Sequence, residues 1–92
     1  MKITLLEFAR RFVDGRLSAN EFANAYIELW KIERDNNILQ KYPDNVDECL
    51  SSIFCVADLY NPDSDREKYE LDEDGLRIEV SRLLNQCGAY KS

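Results

Sequence analysis

Ile3-Thr4-Leu5-Leu6-Glu7-Phe8 and Leu17-Ser18-Ala19-Asn20-Glu21-Phe22 carry one design twice. In each, a hydroxyl residue (Thr4, Ser18) can accept a hydrogen bond from a free backbone N–H of a first helical turn. The glutamate three residues on (Glu7, Glu21) can reach back to the cap's own N–H, which completes a capping box. The apolar pairs Ile3/Phe8 and Leu17/Phe22 have the spacing of a hydrophobic staple. Two independent rules agree at two places, and they predict two helix starts.

Outward from these starts, apolar residues recur at helical spacing. Leu5, Phe8, Ala9 and Phe12 share one face of a first helix that Gly15 should end, since glycine turns left-handed without steric cost. Phe22, Ala23, Tyr26, Ile27 and Trp30, with Leu29 beside them, face inward on a second. The link Gly15-Arg16-Leu17-Ser18 is short enough to demand an antiparallel return. Beyond a loop from Asn36-Asn37 to Tyr42-Pro43, Asp44 is the expected cap of a third helix. Its inner stripe is Val46, Cys49, Leu50, Ile53, Phe54, Ala57 and Tyr60. A fourth begins near Asp72 or Asp74, buries Leu76, Val80, Leu83, Leu84 and Cys87, and ends before Gly88. The expectation is an all-α, antiparallel four-helix bundle, with helices at about 4–14, 19–35, 44–59 and 72–87 in a single domain of residues 1–92. Ala89-Tyr90-Lys91-Ser92 is read as a frayed end.

Composition agrees. Three Gly and two Pro in 92 residues leave little room for irregular chain, and no Asn-Gly or Asp-Gly turn joins alternating runs as a hairpin would require. The odd set of Cys49, Cys55 and Cys87, with no C-x-x-C pair, reads as reduced thiols on or near a core face. There is neither a signal sequence nor a run long enough to span a membrane, so a cytoplasmic location is expected. Histidine is absent, which removes the commonest general base and metal ligand. Ser51, Ser52 and the cysteines then lack an activator, and no catalytic residue is assigned. Cofactors and metals are not expected either. Reading Asn61-Asp63-Asp65 as a calcium loop puts Arg66 where glycine is needed. Reading Glu70-Asp72-Asp74-Gly75 puts Ser81 where the closing glutamate belongs.

The formal charge of −6 argues against direct nucleic-acid binding. Its distribution is uneven. From Asp58 to Glu79 nine carboxylates stand against three bases, a net −6, while the rest of the chain cancels. Asp72, Glu73 and Asp74 suit the start of the fourth helix through its dipole. That explanation does not reach Asp58, Asp63 or Asp65. A surface for a basic protein partner is the functional alternative to a merely solvated loop.

The segment Tyr60-Asn61-Pro62-Asp63-Ser64-Asp65-Arg66-Glu67-Lys68-Tyr69-Glu70-Leu71-Asp72-Glu73-Asp74-Gly75-Leu76-Arg77-Ile78-Glu79-Val80 resembles the colicin D immunity family. The matching stretch of that family has an aromatic, Pro-Asp-x-Asp-Arg, Tyr-Glu, an acidic turn, Gly-Leu and a helix. The family includes immunity proteins of contact-dependent inhibition systems. The likeness covers most of the chain and is densest from about Asp58 to Leu84.

The resemblance implies a bacterial inhibitor, not an enzyme. Its partner would be the C-terminal nuclease domain of a cognate toxin that cleaves tRNA in the anticodon loop. The inhibitor would cover the toxin's cationic cleft as a one-to-one complex, and the free protein is expected to be a monomer. The acidic positions that carry over are Asp58, Asp63 and Asp65, joined by Glu70 and Asp72. Asn61 departs from the family, which has a glutamate before the proline. Tyr69 is a candidate aromatic anchor; for Tyr60, packing across helices is the simpler reading. The competing reading is a non-enzymatic acidic helical adaptor that binds some other basic protein.

Overall fold

The structure, a computed structural model, describes residues 5–38 and 42–86. Four helices form: α1 (Leu5–Val13), α2 (Ala19–Asp35), α3 (Asp44–Asp58) and α4 (Glu73–Gln86). Consecutive helices pack on one another, and α4 closes back onto α1. Among the described residues there is no strand, only an isolated bridge between Tyr60 and Leu71.

The capping box at Ser18 is present in full. Glu21 N–H donates to Ser18 Oγ at 3.2 Å, and Ser18 N–H donates to Glu21 Oε1 at 3.1 Å. Its counterpart at Thr4, the staple residue Ile3, the core assignment of Cys87 and the frayed end all lie outside the described residues. Ser18→Ala is expected to cost about 1 kcal/mol, read as a small drop in urea midpoint with unchanged slope. A variant as stable as the parent would mean that the box contributes nothing.

Two helices end in the same way. After α1, Gly15 adopts φ 84°; its N–H donates to Phe12 O at 3.0 Å and that of Arg16 to Arg11 O at 2.9 Å. After α2, Asn37 adopts φ 60°, with Asn37 N–H on Arg34 O at 3.1 Å and Ile38 N–H on Glu33 O at 2.8 Å. Both are Schellman closures, and asparagine tolerates the left-handed region better than most residues do. The start of α3 differs from expectation. Asp44 is not the cap but the first helical residue; Pro43 occupies the cap position and offers no side-chain acceptor. The Pro43 carbonyl takes the N–H of Asp47 at 2.9 Å, and Asp44 and Asp47 favour the helix start through the dipole.

The core centres on aromatic rings. Phe12 and Phe22 stack at 4.3 Å with planes 6° apart, and Phe8 and Tyr26 flank Phe22 at 5.7 and 5.2 Å. Leu5, Ala9, Leu50, Ile53, Leu76, Val80 and Leu84 are buried around them. The Tyr26 hydroxyl donates to Leu50 O at 2.8 Å, which satisfies the one polar atom that this ring takes into the interior. Burial pushes Tyr26 well above its usual ionisation range.

Phe8, Ile27, Leu29, Trp30, Val46, Phe54, Tyr60 and Leu83, placed inside by periodicity, are only partly buried and pack against the core from its margin. Trp30 meets Phe54 at 4.3 Å with the ring planes tilted by 32°, and the Arg34 guanidinium lies over the Trp30 ring. Cys49 is buried as expected, but Cys55 is exposed, on the outer side of α3. Glu33, by contrast, is only 8% exposed, and Tyr42 donates its hydroxyl to Glu33 Oε1 at 3.0 Å. Burial, and then this bond to a carboxylate, pushes Tyr42 up to about 12.

Candidate functional site

The acidic stretch begins where α3 stops. Asp58 is the last residue of α3, exposed, with no base in the helix's last turn to balance it. A carboxylate at a helix C-terminus opposes the dipole and costs about 0.3 kcal/mol or more. Leu59 and Tyr60 then turn the chain into the α3–α4 loop.

The loop is closed at its base. Asn61 N–H donates to Leu71 O at 2.8 Å and Leu71 N–H to Leu59 O at 2.9 Å. Tyr60 is half-buried and donates its hydroxyl to Asn20 Oδ1 at 2.8 Å, which ties the loop to the start of α2. An open cleft lies between these elements, lined by Asn20, Tyr60, Pro62, Asp72, Glu73 and Asp74.

Inside the loop, charged side chains serve two distinct purposes. Glu70 Oε1 accepts the Glu67 N–H at 2.8 Å and the Asn61 Nδ2 amide at 3.2 Å. Asn61 Oδ1 in turn accepts the Asp63 N–H at 3.0 Å. Arg66 donates to Asp63 O at 2.7 Å and lies 3.5 Å from Asp72 Oδ2. Asp72 Oδ1 accepts the Gly75 N–H at 2.7 Å and so caps α4. Thus Asn61, Glu70 and Asp72 are brought together in one hydrogen-bonded group with Asp63 and Arg66. The carboxylates of Asp58, Asp63 and Asp65 are exposed and take no part in an ion pair among the described residues. Tyr69 is 67% exposed at the same loop.

The Glu67 N–H, and then the Asn61 amide, hold Glu70 below the ordinary carboxylate value of 4.5. The sign follows directly. A depressed folded pKa contributes loop stability that is present above the unfolded value and lost as pH falls through the folded one. The amide shift of Glu67 should therefore titrate with a midpoint below 4.5. A midpoint at or above that value would mean that the carboxylate does not hold this bond in solution.

Two cations that sequence reasoning counted only as charge turn out to be structural. Arg77 donates to Phe12 O and Leu17 O, both at 3.3 Å, pairs with Glu73 at 3.2 Å, and lies over the Phe12 ring at 4.5 Å. Of these contacts only the Glu73/Arg77 pair, four residues apart on one helix, has a spacing that a sequence can show. Arg66 left no local signal. The described residues contain no helix long and apolar enough to cross a membrane, and no cluster of His, Cys, Asp or Glu arranged to hold a metal ion.

A family model described as bacterial self-protective colicin-like immunity matches residues 1–87. The chain belongs to this colicin-like immunity family. Comparison with curated proteins gives no significant match. Family membership makes this colicin-like immunity protein a member of a toxin–immunity pair, and a cognate toxin its partner. The all-α bundle with its loop of unbalanced carboxylates is the framework on which that partner has to be met.

Proposed function

We propose that this protein is a non-catalytic inhibitor of the colicin D type. It would bind the C-terminal tRNA-cleaving domain of its toxin in the cytoplasm and cover that domain's cationic active site. The observation that carries this reading is the trio Asp58, Asp63 and Asp65: exposed, without an ion pair among the described residues, and displayed at a closed loop on a folded bundle. A site that binds tRNA must present cations to phosphate. Carboxylates held where phosphates would lie attract the same cations, and they speed encounter as well as block the cleft.

Local energetics support it. Asp58 sits against its own helix dipole, and Asp63 and Asp65 serve no cap. Residues that break a local rule without a structural return are those expected at a functional surface. Asn61, Glu70 and Asp72 take the supporting role, while Tyr69 offers a ring at the rim for an apolar contact. The four helices are read as one antiparallel domain, rigid enough to present the loop as a unit.

The test is complex formation with the nuclease domain encoded beside this gene, free protein and mixture being compared by sedimentation. A free monomer and a one-to-one complex that weakens steeply with salt are expected. No complex at low salt would reject the reading.

A further inference from the structure

We infer that Arg66 and Glu70 are positioning residues: they act on the partner only through the shape that they impose on Asp63 and Asp65. This inference rests on the preceding reading of the acidic surface. Glu70 Oε1 accepts both the Glu67 N–H and the Asn61 amide. A carboxylate has nothing to donate. Asn61 must therefore turn its NH2 towards Glu70, and its Oδ1 is left facing the Asp63 N–H that it accepts. Glu70 sets the orientation of Asn61, and Asn61 sets the backbone of Asp63.

Arg66 closes the same turn from the other side. One guanidinium nitrogen donates to the Asp63 carbonyl, and the other reaches the carboxylate that caps α4. Both backbone polar groups of Asp63 are thus held by side chains while its own carboxylate stays exposed. Asp65 lies within the turn so closed. A loop ordered before the encounter has little freedom left to lose on binding, which is where preorganisation gains affinity.

Charge and positioning predict opposite signs. Asn61→Asp and Arg66→Ala each make the stretch one unit more negative. If the partner read charge alone, both would associate faster. In the positioning account N61D sets a carboxylate against the Glu70 carboxylate, with no donor between them, and R66A frees the Asp63 carbonyl. Glu70→Gln removes the charge but keeps an Oε1 acceptor, whereas Glu70→Ala removes both.

The experiment measures binding kinetics of the full chain and these variants against the nuclease domain encoded beside the gene. Amide hydrogen exchange and melting of the free proteins are measured in parallel. E70A, N61D and R66A should bind about tenfold more weakly, the worth of one or two loop hydrogen bonds. Exchange should quicken at Asp63 or Glu67 while a cooperative melt shows that the fold is retained, and E70Q should restore parental binding and protection. Equal losses in E70Q and E70A, or tighter binding by N61D and R66A, would overturn the inference while leaving the acidic surface standing. Asp63→Lys with Asp65→Lys separates the two failures: parental binding by that variant rejects the surface reading, and the inference with it.

Discussion

Phe22→Ala is expected to remove about 3–5 kcal/mol of stability, the cost of a fully buried aromatic truncated in a packed core. Phe22 has no exposed surface and sits among three rings, with Phe12 at 4.3 Å, Tyr26 at 5.2 Å and Phe8 at 5.7 Å. Truncation forfeits these ring contacts as well as buried area, and rings on two different helices cannot collapse into the space without moving backbone. A domain of this size shifts its melting point by about 4–8 °C per kcal/mol, so a drop of at least roughly 12 °C should appear in a thermal scan. Leu83→Ala should cost less, because Leu83 is only half-buried, at the edge of the core beside α3. If Phe22→Ala melts like the parent, the ring stack is not the centre of the core.

The second large effect concerns binding. Asp63→Lys with Asp65→Lys moves the formal charge from −6 to −2, two reversals of two units each. Neither carboxylate holds an ion pair among the described residues, and the bonds that fix Asp63 use its backbone. Stability should therefore change by less than about 0.5 kcal/mol. Association with a cationic toxin domain should slow by about 10-fold or more at low salt, with the deficit shrinking as salt is added. Stopped-flow mixing across a salt series reads both. A reversed variant that associates at the parental rate would show that the loop is not the surface that meets the toxin.

The helical framework was legible because local chemistry specified it. Ser18 and Glu21, the left-handed Gly15 and the spacing from Phe22 to Tyr26 each need only near neighbours in sequence. Where periodicity went astray, the cause was position in the bundle. Trp30, Phe54 and Leu83 share a helical stripe with buried residues but lie at its edge. Cys55 is small and apolar enough to suggest the interior, yet its place on α3 faces away from the other helices. Pro43 displaced Asp44 from the cap because the chain enters α3 through the extended proline itself, at ψ 153°.

The site was legible as composition and not as architecture. Counting acids located the charge, and the helix dipole set Asp72 apart from Asp65, but neither showed that Asp72 also meets Arg66. The partners of Arg66 and Glu70 lie three to nine residues away across an irregular turn. No helical or strand period could foretell them. Arg77 meets carbonyls 60 and 65 residues earlier in the chain, which only the packing of α4 on the α1–α2 turn brings within reach.

The most direct test of the central claim is a tRNA-cleavage assay with the toxin domain encoded beside this gene, the protein being added in substoichiometric steps. The account predicts that cleavage falls linearly and stops near one equivalent. Undiminished cleavage at a clear excess of the protein would contradict it.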